Sequence, residues 1–324
     1  MVFHYTTWNS TEGAGHTAPG PSLVFSFGSL GVQLFFVISG FVIFMTLERA
    51  PSPRAFAAAR IARLYPAFLA SMAVTLAVTA LLSTEPFYPD RVLASLTMAP
   101  HLFGVHAVDD IYWTLLYEMD FYVLAAVCVL VLGWREPELP CAVWVVVSLA
   151  LRLSGIGRRG TLIEGLTACH FAHLFVIGIM IYRLRHGSRR WPSLAVLAFS
   201  LEMTMFDTSW ASLPVATPLY AGVIGCFALL VWFAGGTRGY WLAAGPLRAL
   251  GWMSYPLYLV HRSAGYWVMT TLEAAGLPPD TAIVITACLA IATAGVLSFA
   301  AEYRGQRWLR ARLLPRPASD PHSG

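Results

Sequence analysis

Long runs of apolar residues alternate with short polar segments along the whole 324-residue chain. A helix needs about 20 apolar residues to cross a hydrocarbon core of ~30 Å, and lipid cannot hydrogen-bond to exposed backbone groups. The pattern therefore predicts membrane-spanning helices. Nine complete spans are predicted, near residues 29–47, 64–82, 111–132, 138–153, 167–182, 193–206, 216–234, 251–272 and 281–300.

The residues before the first complete span resemble part of one more helix. The sequence MVFHY at 1–5 has the character of the upper half of a spanning helix. A start codon placed too far downstream and a genuine truncation both account for it. In the alternative topology, the chain begins outside the membrane and has nine spans.

The composition agrees with this pattern. Hydrophobic residues make up 57% of the chain, charged residues 12%, and the mean hydropathy is +0.65. Soluble domains carry about 25% charged residues. We therefore predict an all-α fold, a polytopic membrane helical bundle of about ten transmembrane helices whose first helix is truncated at Met1. The five scattered Cys residues argue against a disulfide framework.

Arginine supplies all 21 basic residues, and these cluster in alternate predicted loops. Cytoplasmic loops of membrane proteins carry an excess of basic residues. We expect a plasma-membrane protein with a membrane domain over residues 1–303 and a cytoplasmic Arg/Pro-rich tail over residues 304–324. No basic stripe with interleaved aromatic residues is present, so nucleic-acid binding is not expected. The C-terminal cluster consists of Arg304, Arg307, Arg310, Arg312 and Arg316.

Ionisable side chains inside apolar runs are the first candidates for chemistry, because burying them in lipid is costly. Among them, Glu118 shares a helical face with Thr114, Phe121 and Tyr122, since residues three and four apart are neighbours. Its carboxylate is expected to face a polar cavity, and a structural hydrogen bond between helices is the alternative. The full set is His4, Glu118, Asp120, Glu202, His261 and Arg262.

His261 lies ten residues into its predicted span, about 15 Å deep at ~1.5 Å per residue. It is a candidate for the functional cavity, and an interhelical hydrogen-bond donor is the alternative. The neighbouring Arg262 is expected to contact a carboxylate, with Glu118 and Glu202 as the candidates.

Two arginines, Arg60 and Arg63, are three positions apart at the predicted cytoplasmic end of a span. Two guanidinium groups on one helical face suit a phosphate-bearing ligand, and plain membrane anchoring is the alternative. Ser39 lies inside a predicted helix and lacks the turn of a nucleophile elbow, which makes it a poor nucleophile.

Two groups of residues have spacings that occur in metal sites. Each lacks a third acidic or thiolate partner at a convincing distance, so no metal site is predicted. The two groups are Cys169 with His170 and His173, and His101 with His106.

Four sequence blocks, in order and spacing, resemble the acyltransferase-3 family of integral membrane O-acyltransferases. The resemblance covers nearly the whole chain, and its strength comes from the four blocks together. The blocks are GSLGVQLFFVISGF at 28–41, RIARLYP at 60–66, WTLLYEMDFY at 113–122 and SYPLYLVH at 254–261.

The resemblance implies about ten helices with both termini in the cytoplasm. It also implies transfer of an acyl group, most often acetyl, from acyl-CoA to a hydroxyl of a carbohydrate, a glycolipid or another small-molecule acceptor. Acyl-CoA would be a co-substrate, with no bound cofactor. His4 matches the family's essential His, whereas the Arg or Lys that the family carries eleven positions earlier would fall before Met1.

We expect His4 to be the general base and Glu118 to orient or charge-balance it, or to place the acceptor. An acyl-His intermediate stays open. Arg60 and Arg63 would bind the phosphates of acyl-CoA. The rival interpretation is a transporter or flippase of a polar or lipid-linked solute, although we find no internal repeat of the kind common in transporters. Residues expected to line the substrate cavity are Trp113, Tyr122, Tyr258 and His261.

Overall fold

The computed structural model describes residues 1–8, 25–83, 86–134, 136–157, 162–206, 217–236 and 245–314. Within these ranges the regular elements are helices, with no strand. The helices are α1 Gly31–Glu48, α2 Pro53–Leu82, α3 Pro89–Ser95, α4 Trp113–Ala126, α5 Glu138–Leu153, α6 Leu162–Thr167, α7 Ala172–His186, α8 Arg190–Glu202, α9 Thr217–Ala234, α10 Gly245–Val260, α11 Ser263–Ala274, α12 Pro279–Leu297 and α13 Arg304–Leu313.

Six of the described helical segments are long and apolar enough to cross a membrane. This confirms the prediction of an all-α, multi-pass membrane protein, whereas the count of about ten helices stays a prediction. The six segments are Phe27–Glu48, Pro53–Leu82, Asp110–Val131, Leu162–His186, Thr217–Ala234 and Pro279–Leu313.

Helices α1 and α7 form the centre of the bundle through a contact between two glycines. A Cβ atom on Gly40 would overlap the carbonyl oxygen of Phe175, and one on Gly178 would overlap that of Val37. Small residues let two helix backbones approach closely in lipid, where apolar side chains gain little by leaving it. Gly40 and Gly178 therefore allow the backbones of α1 and α7 to lie in direct contact.

The last helical segment runs without interruption past the predicted start of the tail. A π turn at Ser298–Tyr303 joins α12 to α13, and α13 continues to Leu313. Gly305 of α13 packs against Pro66 of α2, where a Cβ atom would meet the proline ring. This contact holds the start of α13 beside α2. Residues 315–324 of the predicted tail lie outside the described residues.

Candidate active site

His4 lies in a short helical segment at residues 2–8 that packs into the bundle through glycine contacts. Phe3 approaches Gly28 so closely that a Cβ atom there would lie 2.8 Å from the Phe3 Cβ atom, and Tyr5 packs directly on Gly265. Thr6 accepts a hydrogen bond from the backbone N–H of Phe25 at 3.0 Å. These contacts place His4 against the region where α10 ends.

His4 and His261 form a direct pair. The Nδ1 atom of His4 lies 2.9 Å from the Nε2 atom of His261, and the ring centroids are 5.0 Å apart. His261 is buried. Two residues from opposite ends of the sequence therefore meet inside the bundle.

The hydrogen bonds of His261 assign the tautomers of both rings. Its Nδ1 atom lies 2.8 Å from the carbonyl oxygen of Tyr258 and 3.1 Å from that of Leu257. Because a carbonyl oxygen only accepts, this Nδ1 atom carries the proton and the Nε2 atom of neutral His261 is an acceptor. The Nδ1–H of His4 therefore donates to it, which puts the lone pair of His4 on Nε2.

His261 lies at a break between two helices, which corrects the prediction of one continuous span over residues 251–272. Helix α10 ends at Val260 and α11 begins at Ser263. The buried carboxylate of Asp109 accepts from the backbone N–H of Ser263 at 2.9 Å and from that of Ile111 at 3.1 Å. Asp109 thus caps two helical elements, because free N–H groups at a helix start need acceptors.

Arg262 lies at this break and forms ion pairs with two acidic residues just before α4. Its guanidinium is 2.9 Å from the carboxylate of Asp110 and 3.6 Å from that of Asp109. Its carboxylate partners are therefore these two residues, in place of the predicted Glu118 or Glu202.

Helix α4 carries a column of polar side chains away from the histidine pair. The hydroxyl of Thr114 lies 2.6 Å from that of Tyr258, whose ring centroid is 5.9 Å from that of His261. One turn further, the buried Glu118 accepts hydrogen bonds from Tyr122 and, at 3.3 Å, from Ser39. The expected shared face of α4 is confirmed, and Ser39 is a hydrogen-bond donor within α1.

Arg60 extends this column at its far end. Its guanidinium carbon lies 6.0 Å from the ring centroid of Tyr122 and 5.7 Å from that of Phe56. The Nε atom of Arg60 is buried and has no hydrogen-bond partner among the described residues. A buried donor without a partner loses its hydration energy, so this position suits water or an anionic ligand.

Arg63 forms an ion pair with Glu302, which is buried in the π turn between α12 and α13. Its guanidinium carbon is also 5.9 Å from the ring centroid of Tyr255. The Tyr255 hydroxyl and the Oε2 atom of Glu302 are buried without hydrogen-bond partners among the described residues. Arg63 therefore lies beside a buried carboxylate and a tyrosine whose hydroxyl is buried.

A family model described as an acyltransferase domain matches residues 1–301. The chain belongs to the acyltransferase-3 family. The match confirms the resemblance drawn from the four sequence blocks. Ser39, Arg60 with Arg63, Thr114 with Glu118 and Tyr122, and Tyr258 with His261 come from these four blocks in order. The family signature thus supplies most of the polar residues described above.

The chain is also similar to the exopolysaccharide production protein ExoZ of Rhizobium meliloti (strain 1021), with 32% identity over 166 residues. The alignment covers 49% of the chain and 46% of ExoZ. The chain therefore aligns with about half the length of that relative. No solved structure matches the chain.

Trp113 lies beside the column, in an aromatic cluster. Its ring centroid is 5.7 Å from those of Tyr117 and Phe171, and the side chain is partly buried. These contacts pack α4 against the segment before α7. The role of Trp113 in a substrate cavity stays a prediction.

Sequence reasoning missed two acidic residues of this family member, Asp109 and Glu302. Asp109 lies two residues before a predicted span and Glu302 lies two residues after another, so neither interrupts an apolar run. The usable signal was a carboxylate next to an apolar run. Among the described residues, no group of three or more His, Cys, Asp or Glu side chains could hold a metal ion.

Proposed function

We propose that this protein transfers an acyl group, acetyl in the first instance, from acyl-CoA to a hydroxyl of a carbohydrate or glycolipid acceptor. The observation that carries the proposal is the histidine pair, which leaves the lone pair of His4 on Nε2. Membership of the acyltransferase-3 family and the similarity to ExoZ support the reaction class and a carbohydrate acceptor. The protein acts in the plasma membrane with its C-terminus in the cytoplasm.

His4 is the general base in this proposal. Its Nε2 atom takes the proton of the acceptor hydroxyl while the hydroxyl oxygen attacks the thioester carbonyl carbon. The carbon–sulfur bond then breaks, and the His4 imidazolium returns its proton to the departing thiolate, which gives the ester and free CoA. His261 supports this step because its Nε2 atom accepts from the Nδ1–H of His4 and stabilises the imidazolium.

Arg60 and Arg63 bind the phosphates of acyl-CoA in this proposal. The column on α4 from Thr114 to Tyr122 spans eight residues, about 12 Å at ~1.5 Å per residue. The arginines and the histidine pair therefore lie at opposite ends of the column. This separation suits acyl-CoA, whose long flexible arm holds the thioester away from the phosphates. Glu118, between the two ends, places the acceptor hydroxyl.

The direct test is an acyl-transfer assay with radiolabelled acetyl-CoA in membranes that contain the protein. His4→Ala is expected to lower the rate about 10²- to 10⁴-fold, the usual contribution of a general base. His106→Ala, on the loop before α4, is the matched control and retains the wild-type rate. Full activity of His4→Ala would refute the assignment. Movement of a polar solute without thioester consumption would favour the transporter interpretation instead.

A further inference from the structure

Helices α7, α8 and α9 frame an apolar groove of about 940 Å³, separate from the histidine pair. Leucines from α8 and glycines from α9 make up much of its walls, with Leu194 and Leu229 exposed along it. A Cβ atom on Gly222 or Gly225 would have no heavy atom within 4 Å. The glycines therefore leave open space in the groove, where no described side chain fills it.

The length of the groove along α8 is close to the thickness of the hydrocarbon in one leaflet of a bilayer. Along α8 it extends from Arg190 to Leu201, eleven residues or about 16 Å at ~1.5 Å per residue. Half of a hydrocarbon core is about 15 Å thick. An acyl chain that enters at one end would therefore reach the middle of the membrane.

Positive charge is confined to one end of the groove, where Arg185 and Arg190 lie. Arg185 donates to the carbonyl oxygen of Trp232 at 2.8 Å, and its buried Nε atom has no partner among the described residues. Arg190 forms no ion pair with a described residue, whereas the neighbouring Arg189 pairs with Glu136 at 2.6 Å.

The backbone at the start of α8 adds to the positive charge at this end of the groove. Helix α8 starts at Arg190, and no side chain caps its first N–H groups. Free N–H groups and the helix dipole favour an anion at such a position. Arg185, Arg190 and the start of α8 therefore all contribute positive charge at the same end of the apolar groove.

We propose that this groove binds an anionic phospholipid, with its phosphate at Arg185 and Arg190 and one acyl chain along α8 and α9. The charges select a lipid with net negative charge over a zwitterionic one. Beyond the arginines the lining is largely apolar, and Trp232 and Cys226 are the other lining side chains that can form a hydrogen bond, so the groove suits an acyl chain better than a glycan. The site is independent of the proposed acyl transfer, and its test does not measure that activity.

The test is native mass spectrometry of the purified protein with phosphatidylglycerol or phosphatidylcholine of identical acyl chains. Wild-type protein is expected to retain phosphatidylglycerol preferentially. Arg190→Gln lowers this retention about tenfold, as expected for loss of one charge-assisted hydrogen bond, whereas the matched control Arg189→Gln retains it. Equal retention of the two lipids, or an equal loss in both variants, would overturn the proposal.

A second variant tests the acyl-chain position. Gly225→Leu places its Cβ atom in open space, with no heavy atom within 4 Å, and raises helix propensity, so it is expected to fold while its side chain takes the place of bound lipid. Retention of phosphatidylglycerol by a folded Gly225→Leu protein would contradict the proposed pose. Displacement of phosphatidylglycerol by a stoichiometric amount of a polyprenyl-phosphate-linked sugar would assign the groove to a lipid-linked glycan instead.

Discussion

The Nδ1 atom of His4 donates to the Nε2 atom of His261 across 2.9 Å, although the two residues are 257 positions apart in the chain. His261 is in turn held by the carbonyl oxygens of Leu257 and Tyr258. This arrangement orients the His4 ring and fixes its tautomer. In the proposed mechanism, His261 is therefore a positioning residue that acts through His4.

Replacement of His261 tests whether this residue positions His4 for catalysis or only packs in the bundle. His261→Ala is expected to lower kcat about 10²-fold, the usual cost of misplacing a reacting group, with little change in KM for acyl-CoA. His261→Gln should recover part of kcat, because its amide oxygen can reach the position of Nε2 and accept from His4. Steady-state acyl-transfer kinetics measure both. Wild-type kcat in His261→Ala, or no recovery in a folded His261→Gln protein, would contradict the role.

The two arginines should affect donor binding more than the chemical step. Arg60→Gln is expected to raise KM for acyl-CoA about tenfold, since a charge-assisted hydrogen bond contributes ~1.5–3 kcal/mol. Arg54→Gln is the matched control, because Arg54 is exposed near the start of the same helix. The measurement is KM and kcat as a function of acyl-CoA concentration. Equal effects of both substitutions would indicate membrane anchoring instead.

The pair formed by Arg63 and Glu302 should stabilise the contact of α2 with the last helical segment. Glu302→Gln leaves the Arg63 charge without its partner, and we expect a loss of about 2 kcal/mol, reduced by the partial exposure of Arg63. Thermal unfolding in detergent of the two single variants and of Arg63→Gln/Glu302→Gln gives the coupling energy. Strictly additive effects would show that the pair contributes nothing.

Asp109 should contribute to stability as a cap of two helical elements. Asp109→Ala is expected to lower the free energy of unfolding by about 1–2 kcal/mol, the usual value for a lost cap, and to reduce activity by displacing His261. Asp110→Ala is the control: the 60% exposed Asp110 side chain keeps only a surface ion pair, worth about 0–1 kcal/mol. Chemical unfolding and the acyl-transfer assay would compare them. Equal losses in both variants would argue against the cap.

The glycine contact between α1 and α7 should tolerate no side chain. Gly40→Ala is expected to disrupt assembly, because its Cβ atom would overlap the Phe175 carbonyl oxygen. Gly295→Ala, in α12, has open space around the new Cβ atom and should stabilise the protein by about 0.5–1 kcal/mol. Size-exclusion chromatography and thermal unfolding distinguish the outcomes. A normally folded Gly40→Ala protein would show that the helices separate easily.

Residues of the candidate site were predictable where they belong to a local pattern. Glu118 and Tyr122 are one helical turn apart, so their shared face follows from sequence spacing alone. The partner of Arg63 could not be predicted from sequence spacing. Glu302 lies at the far end of the chain and comes close to Arg63 only when α13 packs on α2. The break between helices at His261 could not be predicted either, because the apolar run that contains His261 is long enough for one continuous span.

The sequence by itself determined that this is an all-helical membrane protein of the acyltransferase-3 family, with its polar candidates on particular helices. Apolar length and residue spacing are local properties, so they can be read along the chain. Only the tertiary structure decided which polar groups meet: His4 with His261, Arg63 with Glu302, and Asp109 with the start of α11. Hydrogen bonds and ion pairs need atoms within a few ångströms, and helix packing alone brings these distant residues to that distance.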